Sequence, residues 1–347
     1  MELKEILQLA IAQGASDVHL TAYKPPIFRV DGDLVSADTA PLEPDKLKAL
    51  MTHVLTDSQL SLFEENLELD FSYFCLREFH FRVNIHMEKG NIAANVRIMP
   101  THIRTLSELG LPPIVEKLAL KRSGLIIVTG TANSGKTTTL TSMVDVINNQ
   151  RKCKIVMVED PIEYVHHSKK SLIIQREVGV DTHSFGRALK YALRQDPDVV
   201  VIGETRDLES ISMALTTAET GHLVLTTLHA PNTIESIHRL VDVYPPGKQE
   251  QIRVQLADSL IAIVGQGLVR GKSSTRRVLA TEVLVANLSV RNMIRRNALT
   301  EIRGQIDTRS ALGMQTFEQS LSGLVKAGLI SKESAIEHAK HPDLLHC

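Results

Sequence analysis

The hydrophobic rhythm of the chain changes about a third of the way along. In the first hundred or so residues, apolar and polar positions alternate over short runs. "PPIFRVDGDLV" sets Asp31-Gly32 between two such runs, which predicts a hairpin. "FHFRVNIHMEKGNIAANVRIMP" predicts a second pair of strands around Lys89-Gly90. Leu3, Ile6, Leu7, Ala10 and Ile11 recur at helical spacing, and a further helical pattern covers Asp45–Asn66. Residues 1–100 therefore read as an α+β domain. "PTHIRTLSELGLPP" follows, punctuated by proline and glycine, and residues 101–115 read as a linker.

From Lys121 onward, short continuous apolar runs alternate with amphipathic ones. Strands are expected at Leu125–Thr129, Lys154–Val158, Val199–Ile202 and Leu223–Thr227, and helices at Lys136–Asn148, Ser184–Gln195, Leu208–Thr220 and Thr233–Val243. That alternation predicts an α/β domain with a mostly parallel sheet. The tail from Lys248 reads as mostly helical, with one strand-like interruption at Arg277–Val285. Residues 116–347 are taken as this second domain. Two domains suit a chain of 347 residues, which is long for one core.

The chemistry begins where the first of these strands ends. "GTANSGKT" fits the phosphate-binding pattern G-x-x-x-x-G-K-[ST] and has a strand before it and a helix after it. Main-chain N–H groups and the helix N-terminus would cradle phosphates. Lys136 would reach the β- and γ-phosphates, and the Thr137 hydroxyl would ligate Mg²⁺. Asn133 stands where such loops often carry glycine, and asparagine tolerates a left-handed backbone better than most residues. "VMVEDPIEYVHH" clusters Glu159, Asp160 and Glu163 after the second strand. On the residues alone this is either a ligand-binding strand end or a solvated acidic turn. "DPDVVVIGETRD" ends a buried strand in Gly203-Glu204, an acid that could hold Mg²⁺ or water, or an ordinary strand-end carboxylate. "TGHLVLTTLHAPN" flanks a strand with His222 and His229, which are either structural or functional.

Composition narrows the partners. Lys and Arg total 39 against 40 Asp and Glu, a formal net charge of -1, and no dense basic stripe points to nucleic acid. Cys75, Cys153 and Cys347 form no CxxC pair, which argues against a zinc ribbon or a disulfide framework and fits a reducing cytosol. Cys347 reads as a solvated tail thiol. The N-terminus lacks a cationic leader and a cleavage site. No apolar run approaches the roughly 20 residues that span a bilayer. A cytoplasmic protein is expected.

Taken together, GTANSGKTTT, VEDPIEYVH, DPDVVVIGETRD and TGHLVLTTLH resemble the motifs of the type II/IV secretion-system ATPases. "ASDVHLTAYKPPIFRVDGDL" and "FHFRVN" extend the resemblance over nearly the whole chain. Within that family the chain is similar to the pilus-retraction branch. It starts directly with the ASDVHL domain, lacks paired CxxC motifs, and carries "SVRNMIRR" where that branch has AIRNLIRE. "LGMQTFEQSLSGLVKAGLIS" also looks like that branch. Two departures stand out. Thr131, Ala132 and Asn133 differ from the usual GPTGSGKST loop, and Arg296 reverses the charge of the last AIRNLIRE residue.

The resemblance implies a PAS-like N-terminal domain and a RecA-like P-loop ATPase domain with helices at its C-terminal end. It implies a homohexamer that hydrolyses ATP with Mg²⁺ and drives type IV pilus retraction and twitching motility. The location implied is the cytoplasmic side of the inner membrane, at a pilus platform protein, with a paralogous assembly or accessory ATPase as a further partner. Gly130, Thr131, Ala132, Asn133, Ser134, Gly135, Lys136, Thr137 and Thr138 would hold the nucleotide, and Thr137 with Glu204 the magnesium. Glu163 matches the glutamate that polarises the attacking water, and Glu204 the one near magnesium. His229 and His222 match the family's histidine motif. Arg82 and Arg97, surface-strand arginines on pattern alone, match arginines that approach ATP from the N-terminal domain. Other readings stay open: an assembly or secretion ATPase, an accessory retraction ATPase, a low-turnover regulatory subunit, and a nucleic-acid translocase.

Overall fold

The computed structural model describes residues 2–76, 79–99, 102–272 and 277–346, so Cys347 lies outside the described residues. The chain divides into two compact units, Met1–His102 with Pro161–Val165, and Ile103–Asp160 with His166–Cys347.

The first unit contains α1 (Leu3–Ala12), β1 (Asp17–Leu20), β2 (Ile27–Val30), β3 (Asp33–Ser36), α2 (Pro44–Thr52), α3 (Asp57–Asn66), β4 (Glu68–Leu76), β5 (Phe79–Glu88) and β6 (Asn91–Ile98). Its six strands pair antiparallel in the order β3-β2-β1-β6-β5-β4. Both expected hairpins are present, with Asp31 and Lys89 in the left-handed conformation their turns need. The helical pattern over Asp45–Asn66 resolves into two helices. Thr56 caps the second, accepting from the Gln59 N–H, and so starts a new helix rather than continuing the old one. One sheet face packs Val18, Phe28, Phe81, Val83, Ile85 and Val96 against the helices. The other face is polar. Across it runs one cross-strand row, Arg29–Asp17–Arg97–Arg82–Ser72.

The second unit contains α4 (Ile114–Ala119), β7 (Gly124–Thr129), α5 (Lys136–Gln150), β8 (Lys154–Glu159), β9 (Leu172–Glu177), α6 (Phe185–Ala192), β10 (Val199–Ile202), α7 (Leu208–Glu219) and β11 (Leu223–Leu228). It continues with α8 (Thr233–Asp242), α9 (Pro246–Ser259), β12 (Leu260–Arg270), β13 (Arg277–Val285), α10 (Leu288–Arg295), α11 (Ile302–Thr308), α12 (Phe317–Lys326) and α13 (Lys332–His338). The seven-stranded sheet has the order β13-β12-β7-β11-β10-β8-β9 and is parallel except for the β12–β13 pair. One face is covered by α4 and α5 with Ile126, Val128, Leu225 and Val264 inside. The other is covered by α6 to α11 with Leu125, Ile127, Val200 and Val224 inside. A strand buried on both faces reads as an unbroken apolar run, and β7, β10 and β11 are buried at every residue.

Two strands depart from the expectation. β9 was not expected, and the tail expected to be mostly helical begins with the helix α9 and then the long strand β12. "LIAIVGQGLV" is apolar on both sides, and a short apolar run does not by itself distinguish a buried strand from a buried helix. Among the described residues, no helix is long and apolar enough to cross a membrane.

Candidate nucleotide site

β7 ends at Thr129, whose hydroxyl lies 3.1 Å from the Leu228 carbonyl and 2.9 Å from that of Ala230, tying the strand to the end of β11. The loop from Gly130 to Gly135 then leads into α5. Gly130 is required by crowding, since a Cβ there would sit 2.4 Å from the Gln266 carbonyl oxygen. Gly135 precedes α5 with φ 86, a backbone that L side chains avoid. Asn133 has φ 59, so the expected left-handed residue is indeed there. Thr131, Ala132 and Asn133 form the exposed apex, whereas Ser134 and Lys136 are buried.

Lys136 Nζ donates to the carbonyls of Gly130 at 3.1 Å and Thr131 at 2.8 Å, folding the side chain back over its own loop. The first turn of α5 carries no acidic residue, so the positive end of this 15-residue helix is not neutralised from within. Ser134 Oγ is buried without a partner. A buried lysine folded over the loop, an orphaned hydroxyl and an unneutralised helix N-terminus fit a polyphosphate. Thr137, on the same turn, could offer a hydroxyl to a magnesium ion. Among the described residues there is no cluster of three or more His, Cys, Asp or Glu that could hold a metal. Mg²⁺ needs none, because it usually keeps waters and binds through one or two protein oxygens plus phosphate.

Glu204 and His229 lie just past the C-terminal ends of β10 and β11 in the same sheet. His229 Nε2 is 3.3 Å from Glu204 Oε1, and Arg206 Nη2 donates to Glu204 Oε2 at 2.7 Å. Burial pushes the Glu204 carboxyl up, but Arg206, His229 and Lys136 together outweigh it and hold the carboxyl below its ordinary value. Burial, then the Lys136 charge, hold the His229 imidazole below its ordinary value. At neutral pH the pair is therefore a neutral imidazole beside a carboxylate. Lys136 acts electrostatically on both groups, which ties the loop to the two strand ends. Thr227 Oγ1 donates to the Gly203 carbonyl at 2.7 Å and fixes the turn that carries Glu204.

The remaining expected residues fall elsewhere. His222 stands at the start of β11, so His229 lies seven residues on, roughly 20 Å along the strand at about 3.3 Å per residue. Its Nδ1 is 3.1 Å from the Thr217 carbonyl and 3.1 Å from the Thr220 hydroxyl, at the edge of the sheet opposite the loop. The structure does not bring it to the loop; residues flanking one parallel strand necessarily occupy opposite sheet edges. Glu159 ends β8, buried, and accepts from Gln175 Nε2 at 2.9 Å. Glu163 lies in Pro161–Val165, which belongs to the first unit, beside the buried His80. Burial pushes the His80 ring down to about 4. Arg82 and Arg97 are register partners on β5 and β6, and Arg97 Nε donates to Asp17 Oδ1 at 2.9 Å. Sequence reasoning missed Arg206 and Gln266. A polar residue interrupting the apolar run of β12 was the available signal for the second.

For the ATPase activity that the family resemblance implies, Asn133→Gly is expected to keep or raise the rate. Glycine removes a left-handed backbone cost of about 1 kcal/mol, and the exposed Asn133 side chain makes no hydrogen bond among those described. Phosphate release measures this, and a tenfold loss would show that the side chain has a role of its own.

The sequence model of the family described as type II/IV secretion system protein matches residues 1–332. The chain is 43% identical over 343 residues to the type IV pilus retraction ATPase PilT of Pseudomonas aeruginosa, covering 99% of both chains. It is 41% identical to a twitching motility protein of Neisseria gonorrhoeae, covering 97% of this chain and 90% of that one. The crystal structure of the pilus retraction motor PilT with bound ADP superposes with a TM-score of 0.93 at 43% identity, covering 99% of each chain.

Proposed function

The chain belongs to the type II/IV secretion system protein family, and from that premise we propose that it is a ring-forming ATPase that powers type IV pilus retraction. The observation that carries the reading is the convergence of Lys136, Glu204 and His229 at one edge of the parallel sheet, beside a loop suited to polyphosphate. The nucleotide is ATP, bound with Mg²⁺ as a complex. The assembly is a homohexamer at the cytoplasmic face of the inner membrane. There it acts on the pilus platform protein, beside a paralogous assembly or accessory ATPase.

Phosphoryl transfer asks a protein for positioning and charge neutralisation, with little covalent chemistry. Lys136 would leave the carbonyls of Gly130 and Thr131 for the β- and γ-phosphates, and Thr137 with Glu204 would hold the magnesium. Glu163 orients and polarises the attacking water. His229, 3.3 Å from Glu204, reports whether the γ-phosphate is present. Arg82 and Arg97, supplied by a neighbouring subunit, offset charge on the transferred group. Hydrolysis then releases those contacts and allows a hinge motion that is read out as force.

Glu163→Gln is expected to lower turnover at least 100-fold while ADP and ATP affinities stay within a few-fold, because it removes a water-polarising group and no phosphate contact. Single-turnover phosphate release with parallel calorimetry checks it, and normal turnover removes Glu163 from this role. The proposal as a whole is tested by imaging surface pili in a deletion strain. Excess pili that do not retract are expected, and absence of pili would overturn it in favour of an assembly motor.

A further inference from the structure

Gln266 is the only long polar side chain within the buried length of β12. Gly265 is the register partner of Thr129, so Gln266 stands one residue beyond the end of β7, level with the start of the phosphate-binding loop. It bonds the loop at one place and crowds it at two. Its Nε2 donates to the Ser134 carbonyl at 2.7 Å, in a buried contact across 132 residues of sequence. Its main-chain oxygen lies where a Cβ on Gly130 would come within 2.4 Å, and its Nε2 lies 3.3 Å from where a Cβ on Gly135 would be.

We propose that Gln266 is a positioning residue of the nucleotide site, a strut that fixes the orientation of the Ser134–Gly135 peptide. The proposal rests on the ATPase reading above. In a trans peptide the C=O and N–H point in opposite directions. A donor that holds the Ser134 carbonyl on the β12 side therefore turns the Gly135 N–H to the other side. Gly135 is the residue that opens α5, and in loops of this kind such an N–H faces phosphate. The amide assignment follows from the partner, since only Nε2 can face a carbonyl oxygen. The other end of the amide, Oε1, is buried without a partner, as is Ser134 Oγ. A glutamine retained for general packing would be expected to satisfy both ends. This one spends its donor on the loop and leaves its acceptor open.

The strut is itself braced. Thr281 on β13 is the register partner of Gln266, and Gln315 Nε2 donates to Thr281 Oγ1 at 2.6 Å. The Thr281 N–H in turn donates to Ser320 Oγ of α12 at 3.0 Å. The C-terminal helices thus hold the hairpin from which Gln266 reaches the loop.

Gln266→Met keeps the volume and removes the donor. A contact to a non-transferred phosphate is made equally before and during reaction, so its loss appears in binding and leaves turnover at saturation nearly unchanged. The dissociation constant for ADP, measured by calorimetry on the full chain, is expected to rise 10- to 50-fold. The kcat at saturating ATP should stay within about threefold, and hydrogen exchange across residues 130–137 should quicken without nucleotide. Gln266→Glu, which presents a carboxylate to the Ser134 carbonyl, should weaken ATP at least as much. If Gln266→Met does not fold, Gln266→Asn, which keeps the amide one methylene short, supplies the same readings. An ADP affinity within twofold of the parent together with unchanged loop exchange would overturn the strut. So would a lower kcat at an unchanged dissociation constant. If the parent itself binds no nucleotide, the ATPase reading fails, and the exchange measurement alone decides whether Gln266 holds the loop.

Discussion

Lys136→Ala should bind ADP and ATP about 10- to 100-fold more weakly than the parent. Lys136 is 7% exposed, and its ammonium is held by the carbonyls of Gly130 and Thr131. A phosphate oxygen that replaces those carbonyls gains a charge-assisted bond to the ammonium. One such bond contributes about 1.5–3 kcal/mol, and each 1.4 kcal/mol is tenfold in affinity. The lysine also acts at a distance, since its charge helps to hold both Glu204 and His229 below their ordinary values. Removing it should move the His229 titration upward, toward 6.5, which proton NMR of the imidazole can follow. Calorimetry and this titration are independent readouts. Lys136→Met, which keeps most of the buried stem, separates lost charge from lost packing. Unchanged ADP affinity in both variants would show that phosphate binds elsewhere.

The loop was legible in the sequence for a physical reason. A strand buried on both faces, a glycine-rich turn and an amphipathic helix each leave a local pattern, and all three are adjacent in the chain. β7, β8, β10 and β11 were found within a residue or so of their observed ends, because β-branched runs bounded by polar residues have few other uses. Glu204 and His229 could be singled out in the sequence because each lies just past the end of such a strand. What was lost depends on tertiary placement. β12 carries the same apolar residues as a buried helix, and only its pairing with β7 and β13 reveals the strand and, with it, the reach of Gln266.

His222 and Glu163 show two further limits. A pair of histidines around a strand looks symmetrical in sequence, but a parallel strand carries its first and last residues to opposite edges, and only His229 arrives at the loop. Glu163 comes soon after the end of β8, yet Pro161–Val165 leaves the second unit and belongs to the first. Pro161 removes a main-chain donor and fixes φ at the point of departure, which is consistent with the end of the ladder there. A five-residue excursion of this kind has no periodic signature.

Arg97→Ala should lower turnover by a factor on the order of 10³ while leaving nucleotide affinity within a few-fold and stability within about 1 kcal/mol. Two effects offset each other in the sheet. Arg82 and Arg97 are directly opposed on β5 and β6, where like charges repel, and Arg97 also pairs with Asp17. Asp17, the next residue in the row, bonds Arg97 through Nε at 2.9 Å and fixes the guanidinium plane while leaving its two outer nitrogens to other partners. Asp17 is held below its ordinary value: burial raises it, and bonds from Arg97 and Ser16 more than reverse this, so it is ionised throughout any neutral assay. An arginine pair maintained against its own repulsion is suited to an anion, and an arginine supplied to a transferring phosphoryl group is worth 10³–10⁵ in rate. If that anion is the nucleotide of an adjacent subunit, as proposed, Arg97→Ala and Lys136→Ala chains are each nearly inactive alone. Co-assembled rings should regain activity, because an Arg97→Ala pocket then meets an intact arginine from a Lys136→Ala neighbour. Phosphate release across mixing ratios measures the rescue, and a tag pull-down confirms that rings have exchanged. Activity that stays at the single-variant level in verified mixed rings would assign Arg97 to its own chain's site, and unimpaired turnover by Arg97→Ala alone would remove it from catalysis.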